Sequence, residues 1–490
     1  MKNFSGAFLW LTASEIIFNI AAYVVHASVG RILGPADYGR YGLVVTLTTM
    51  IIVLIGNGVP TAMAKYISEH LGKNPEKIYA IRHQAAKIQI LLILLVTVLF
   101  FFLSPAIAWM LGDPSLTPLF QISTLVIPAF AAASFYHHYF TGLHLFKLQS
   151  IVKIARSFAR VGFIVLAAYY LKLEGAVGGY IMAPLLTFGV ALLIDIFYVQ
   201  RKLGIGLKKE SAFTFPARTV IAYAWPITLF LVFYEFILTI DLYLVKAILG
   251  DDHATGLYNA AITVGRIPYY LFSALAMILL PSISKTTAEA DHKTTQEIMT
   301  ISLRMLSILL LPMVALLCAS APELLHLLYG NGYADASASL RIFTIGVGFL
   351  TVFYILAFAL NGAGLVHIPM KLSVVGLVLS LPLNLVLIPS FGIAGAAFAT
   401  TIASFGIMIG VIFSARKYFT LRIRNRDIFL PFLFSLGIGA IAYGIGPTSL
   451  WFIFFDMALF GAYIAILSRL RVITSQDTKP FRKIFGRKEQ

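Results

Sequence analysis

Long apolar runs separated by short polar breaks follow one another along the whole chain. They fall at about residues 6–30, 40–64, 86–111, 117–142, 150–171, 175–200, 219–248, 255–283, 299–320, 336–361, 370–389, 392–415, 428–446 and 449–468. Each run is roughly 18–28 residues long, enough for a helix to cross a hydrocarbon core about 30 Å thick. Barrel strands would instead alternate apolar and polar residues over about ten positions, a pattern absent here. In lipid every backbone N–H and C=O needs an internal partner, which leaves helices. The pattern therefore predicts an all-α polytopic membrane protein with about fourteen transmembrane helices.

Composition agrees with that reading. Hydrophobic residues make up 59% of the chain and charged residues only 12%, against about 25% charged in soluble domains. Mean hydropathy is +0.89. Such a chain cannot cover its surface with polar groups, so its solvent is expected to be lipid.

The basic residues give an independent check on the number of spans, because loops on the cytoplasmic side are enriched in Lys and Arg. With the N-terminus inside, one inner loop holds Lys65, Lys73, Lys77, Arg82 and Lys87, and another Arg201, Lys202, Lys208, Lys209 and Arg218. A third holds Arg416, Lys417, Arg422, Arg424 and Arg426, and the tail adds Lys479, Arg482, Lys483, Arg487 and Lys488. Only Arg31, Arg40, Lys172, Lys246 and Arg341 fall outside, and Arg266 falls within a span. A wrong span count would scramble this alternation. The expectation is a multi-pass protein of the plasma membrane with both termini cytoplasmic. Membrane topology then accounts for most of the formal +16 charge, and nucleic acid is not an expected partner. The first run holds Glu15, is long, and lacks a small-residue cleavage pattern, so it reads as a span and not as a signal peptide. The single cysteine, Cys318, excludes an intrachain disulfide.

The runs repeat with an offset of six. Ile32-Leu33-Gly34 with Gly39 and Tyr41 is matched by Ile248-Leu249-Gly250 with Gly256 and Tyr258. Tyr66-Ile67-Ser68 is matched by Ser282-Ile283-Ser284, and the glycine turn at Gly142 by one at Gly362. Gly175-Ala176-Val177-Gly178-Gly179 opens the sixth span and Gly392-Ile393-Ala394-Gly395-Ala396 the twelfth. Six is even, so the halves share one orientation. The expected architecture is two six-helix bundles related by a pseudo-two-fold axis along the membrane normal, with substrate between them near mid-membrane. The domain boundaries are 1–200 for the N-terminal bundle, 201–218 for a cytoplasmic linker and 219–418 for the C-terminal bundle. Residues 419–490 add two helices and a basic tail. Glycines opening a span let helices approach closely, where packing drives association.

Ionisable groups inside spans are costly and mark candidate sites. On the first span Thr12, Glu15, Asn19 and His26 share one face, a polar stripe about 20 Å long. Asn259, Thr263, Arg266, Tyr270 and Ser273 form a similar stripe on the eighth, and the seventh carries Glu235 and Asp241. Arg266 and Glu235 lie at depths that agree to about one turn, which suggests a pair. Paired across a water-filled cavity, Arg266 would then hold a substrate phosphate through its bidentate fork; the alternative is a purely structural ion pair between two adjacent helices. Lys153, Arg156 and Arg160 sit at i, i+3 and i+7 near the expected cytoplasmic end of the fifth span. They read either as a site for a pyrophosphate head group or as cations snorkelling to the interface.

Three segments carry a family resemblance. Residues Arg31-Ile32-Leu33-Gly34-Pro35-Ala36-Asp37-Tyr38-Gly39-Arg40-Tyr41-Gly42-Leu43 resemble the first-loop signature of polysaccharide transporters. Leu328-Tyr329-Gly330-Asn331-Gly332-Tyr333, with Ala336 and Leu340-Arg341-Ile342, is similar to the loop before their tenth span. The glycine-rich Leu387 to Thr400 stretch resembles the opening of their twelfth. The family is the oligosaccharide-flippase branch of the multidrug/oligosaccharidyl-lipid/polysaccharide (MOP) exporter superfamily, and the likeness covers roughly residues 5–418. It implies alternating access and export of an oligosaccharide on a polyprenyl-phosphate or -diphosphate carrier, for assembly of a surface polysaccharide or glycan. These are loop and packing signatures, and they say little about which sugar is carried.

The multidrug branch of the same superfamily supplies the alternative, a sodium- or proton-coupled exporter of organic cations. Glu15, Glu235 and Asp241 are its candidate ion-coupling residues. A membrane-embedded glycosyltransferase or polymerase would need a large outer loop, and the loops here are short. The chain has no phosphate-binding loop for ATP and no Cys/His cluster with metal spacing. No cofactor is expected beyond a coupling ion, and no enzymatic activity. Expected partners are a lipid-linked oligosaccharide and membrane lipids, with the glycan-assembly proteins it would meet left open.

Overall fold

The computed structural model describes residues 2–56, 58–71, 77–201, 215–419, 424–446 and 451–473. These form helices and turns, with no strand among the described residues. Among the described residues nine stretches are long and apolar enough to cross a membrane. Three of them contain two helices each, because the backbone leaves helical geometry at Gly34, Lys172 and Gly392. With Ala217–Leu249 and the run from Asp252 to Ala288, fourteen long helices follow one another among the described residues, as predicted.

They are α1 (2–33), α2 (35–56, followed by Gly58–His70), α3 (Lys77–Met110) and α4 (Thr117–Ser123 continuing as Val126–Gly142). Next come α5 (146–171), α6 (173–194, with a π-helical end Asp195–Gln200), α7 (Ala217–Leu249) and α8 (Asp252–Gly265 and Ile267–Ala288). The series closes with α9 (His292–Ala319), α10 (Ser337–Gly362), α11 (367–391), α12 (393–418), α13 (Arg426–Ile445) and α14 (Trp451–Arg469). The outward face of α3 shows what solvent the protein expects. Leu91, Leu94, Leu95, Val98, Phe102 and Leu103 are all exposed, a surface suited to lipid.

The chain divides into two compact units. The first comprises Met1–Thr239 and Gly250–Gly256, the second Ile240–Leu249 and Leu257–Gln490. Most of the predicted 201–218 linker, and the basic tail, lie outside the described residues. At the start of α7, Phe215 packs its ring 5.1 Å from that of Tyr66 in the first unit.

The internal repeat reappears as repeated contacts within each unit. A Cβ placed on Gly142 would lie 2.9 Å from the Ala64 carbonyl oxygen and 3.1 Å from Ile67 Cβ. One placed on Gly362 would lie 2.7 Å from the Leu280 oxygen and 3.1 Å from Ile283 Cβ. The turns that follow match as well, with Leu145 N–H donating to Phe140 O and Leu365 N–H to Leu360 O, both at 2.9 Å.

The α5–α6 and α11–α12 hairpins repeat too, but in a different register from the one the glycine pattern suggested. Gly175 aligns with Gly395 and not with Gly392. Added Cβ atoms would stand 2.0 Å from Ala167 O in one hairpin and 2.0 Å from Leu387 O in the other, each eight residues upstream. The position equivalent to Gly392 (φ 57°) is Lys172 (φ 51°), so one hairpin turns on a glycine and the other on a lysine. The turn has no fixed residue type, whereas the close approach admits only glycine, and only the approach keeps register.

Helices α13 and α14 belong to the second unit and pack on α9. Ile308, Leu316, Ile438, Ala442, Tyr463 and Leu467 form their common core. Tyr463 Oη donates to Ile308 O at 3.0 Å, and Arg304 bonds both Asp427 (3.0 Å) and Val472 O (2.6 Å). Tyr463 Oη and the two terminal nitrogens of Arg304 thus find their partners inside protein, as lipid requires.

Candidate functional site

The first unit gathers four of the predicted residues. Lys153, Arg156 and Arg160 of α5 turn toward α1, where Lys153 Nζ bonds the Glu15 carboxylate. The snorkelling alternative therefore does not describe them. Arg160 lies past the midpoint of its helix, and all three cationic groups converge on the Phe18 ring. Lys153 Nζ is 5.0 Å from the ring centroid, and the Arg156 and Arg160 guanidinium carbons are 5.6 and 5.7 Å away. Arg156 also stacks on Phe130 of α4 at 4.1 Å. An aromatic face replaces part of the water that a guanidinium loses inside a membrane protein.

Charge in this cluster is not balanced. Glu15 is the one carboxylate paired with it among the described residues, set against three cations. His137 of α4, within electrostatic reach of Lys153 and Arg156, accepts a hydrogen bond at its Nε2 from Gln149 Nε2 at 2.8 Å. Tyr41 of α2, fully buried, lies near Arg160 and Tyr180. Arg160 Nε and Tyr41 Oη are both buried without a hydrogen-bond partner among the described residues. Both atoms can still make a hydrogen bond, and they stand beside a surplus of cations. Asn19 lies one turn beyond Glu15 on α1, half-buried.

A different arrangement stands in the second unit around Asp241, which is fully buried. Tyr258 Oη donates to its Oδ2 at 2.6 Å and Thr400 Oγ1 to the same atom at 2.8 Å. Its Oδ1 accepts the Leu242 N–H at 2.8 Å. Three helices, α7, α8 and α12, meet on this one carboxylate.

The predicted stripe on α8 also lies in the second unit, but on an interrupted helix. Asn259 is buried and its carbonyl accepts Thr263 Oγ1 at 2.7 Å, while Tyr270 is 38% exposed. The helix breaks at Arg266 (φ −82°, ψ −3°), ahead of Pro268. Proline has no N–H to give and disfavours helix in the preceding turn. Half-buried Arg266 is therefore carried on a discontinuity in its span, a device by which membrane transporters place ligand groups at mid-depth. Glu235 belongs to the first unit and Arg266 to the second. The Glu235 carbonyl accepts Thr239 Oγ1 at 2.6 Å.

Reading the sequence missed Phe18, Phe130, Tyr41 and His137. Phe18 could have been found, since it stands three residues after Glu15 on the same face. The others come from α2 and α4, and nothing local links them to α5.

A two-unit helical membrane protein with a cationic cluster in one unit and a buried carboxylate in the other is a transporter by architecture. The chain belongs to the polysaccharide biosynthesis protein family, whose model matches residues 6–287, within the MOP exporter superfamily. Proteins of this family and fold are transporters and flippases, not enzymes. A second family model, MatE, matches residues 226–386. Among relatives, the chain is 24% identical to the uncharacterised membrane protein MJ1375 of Methanocaldococcus jannaschii, covering 82% of this chain and 96% of that one. It is 25% identical to the probable low-salt glycan biosynthesis flippase Agl15 of Haloferax volcanii, over 33% of this chain and 34% of that one. The fold is similar to that of the lipid II flippase MurJ in an inward closed conformation, with TM-score 0.76 at 15% identity, covering 95% of this chain and 100% of that one. An inward-facing multidrug resistance MATE family transporter follows at TM-score 0.69 and 12% identity, with 84% and 98% covered.

Proposed function

We propose that the protein flips an oligosaccharide linked to a polyprenyl diphosphate from the cytoplasmic to the outer leaflet of the plasma membrane. The observation that carries this reading is the unbalanced cation cluster of the first unit. Lys153, Arg156 and Arg160 would hold the diphosphate, with Tyr41 supplying a hydroxyl, and the sugar and polyprenyl chain would lie to either side. Arginine suits the task because its fork bonds phosphate oxygens in pairs and never loses its charge. Alternating exposure of this cationic face to the two sides of the membrane would move the head group across. Within the second unit, Arg266, Asn259, Thr263 and Tyr270 would offer polar groups of their own to the cargo. The family match and the likeness to flippases support the class of cargo. In proteoliposomes, Arg156→Gln with Arg160→Gln should abolish flipping of a fluorescent polyprenyl-diphosphate oligosaccharide. Undiminished flipping by that folded variant would remove the reading.

The multidrug alternative has one observation in its favour, the Asp241 carboxylate held by Tyr258 and Thr400. We assign that group to a coupling ion, sodium or proton, and not to an organic cation. The cluster around Arg156 would repel a cationic drug, and Glu15 is already engaged by Lys153.

A further inference from the structure

We propose that Glu15 is a resident counter-ion of the diphosphate site, a carboxylate that occupies Lys153 when no substrate is bound and yields it when substrate arrives. This rests on the assignment of Lys153, Arg156 and Arg160 to a diphosphate. Of the three cations, only Lys153 has a carboxylate partner among the described residues. The two arginines rest on aromatic faces instead, Arg156 on Phe130 and both on Phe18. The Glu15 side chain is 46% exposed while that of Lys153 is 17% exposed. The lysine is thus held inside the cluster, and the carboxylate reaches it from an open side.

The placement fits a competitor better than a structural tie. A structural ion pair is closed in, as Arg82 and Asp195 are, with Asp195 at 0% exposure and bonded to Gln200 as well. Glu15 has no second partner among the described residues. A carboxylate offers the same charge-assisted oxygens as a phosphate, so the two compete for one ammonium. With Glu15 in place the site carries a surplus of two positive charges, and with Glu15 displaced a surplus of three. A diphosphate would meet a site that is never fully uncompensated in low dielectric, where a lone charge is expensive. Once the cargo leaves, Glu15 returns and lowers the affinity of the vacated site, which favours release over rebinding. Glu15 is on this view a positioning residue that trades affinity for turnover.

The test uses purified full-length protein with farnesyl diphosphate as the probe, titrated by calorimetry. Glu15→Gln should bind it roughly tenfold tighter, since one charge-assisted hydrogen bond no longer competes. In proteoliposomes the same variant should flip a polyprenyl-diphosphate oligosaccharide more slowly at saturating substrate. Lys153→Gln should bind more weakly, and adding Glu15→Gln to it should change nothing further. A structural tie predicts the opposite, weaker binding by Glu15→Gln, and that result or unchanged affinity overturns the counter-ion role. If Arg156→Gln loses binding while Glu15→Gln leaves it unaltered, only the counter-ion role falls. If Arg156→Gln and Arg160→Gln also leave affinity unaltered, the diphosphate reading falls with it.

Discussion

Gly39 and Gly256 meet backbone to backbone. A Cβ on Gly256 would stand 1.7 Å from the Pro35 carbonyl oxygen, and one on Gly39 would stand 2.6 Å from the Asp252 oxygen. Beside them Arg40 donates to Ser115 and lies 3.9 Å from Asp113 and 4.0 Å from Asp252. The two glycines are the matched positions of the internal repeat, and they close on each other at the end expected to face outside. Any side chain at either position forces the segments apart. Thr255, fully buried, reports on this. In a Cys318→Ala background, Thr255→Cys should resist a membrane-impermeant maleimide, and adding Gly39→Ala should raise labelling several-fold. Equal labelling would contradict the contact.

The hairpin turns offer a stability test. Lys172 holds φ at 51°, where L side chains are strained, while its counterpart is Gly392. Such backbone strain costs on the order of 1–3 kcal/mol. Lys172→Gly should therefore raise the midpoint of thermal unfolding in detergent, and Gly392→Lys should lower it. The pair of shifts should have opposite signs.

Arg82 and Asp195 form a second test, within the first unit. Their ion pair closes at the base of α3 and α6, with Arg82 also over Tyr139 at 4.5 Å and bonded to Tyr136. Removing one partner leaves an uncompensated buried charge, at a cost of about 3–5 kcal/mol. Asp195→Asn should show that loss in chemical unfolding. The double change Arg82→Met with Asp195→Leu should recover most of it, because both charges are gone.

Asp241 separates coupling from cargo binding. Asp241→Asn keeps the shape of the group, and its amide can no longer take a sodium ion or a proton as the carboxylate does. Flipping driven by a sodium or proton gradient should fall at least about tenfold, the scale of one lost charge-assisted contact, while affinity for farnesyl diphosphate stays unchanged. Loss of both would place Asp241 on the cargo path instead.

Much of this was written in the sequence, and the remainder has physical reasons for being hidden. Apolar runs and basic loops gave the fourteen helices because lipid imposes one rule on every span. The first-hairpin glycines were legible because close backbone contact admits no other residue. The register of Gly175 was misread because Gly392 serves a turn, Gly395 serves a contact, and both are glycines. Lys153, Arg156 and Arg160 were visible as one helical face, but whether they pointed to lipid or to protein depended on Phe18 and Phe130. Spacing along one helix cannot show which neighbours it packs against. The break at Arg266 was available from Pro268 two residues on, and went unread because the apolar run continues through it.

The central claim is that the cations of α5 carry a lipid diphosphate, and the most direct measurement is flipping in proteoliposomes. Wild-type protein, Arg156→Gln with Arg160→Gln, and Asp241→Asn would be compared with a fluorescent polyprenyl-diphosphate oligosaccharide and, separately, with a cationic dye. The account predicts flipping of the lipid by wild type, its loss in the double arginine variant, and no dye transport by any of them. Ion-driven dye efflux by wild type without lipid flipping would contradict it.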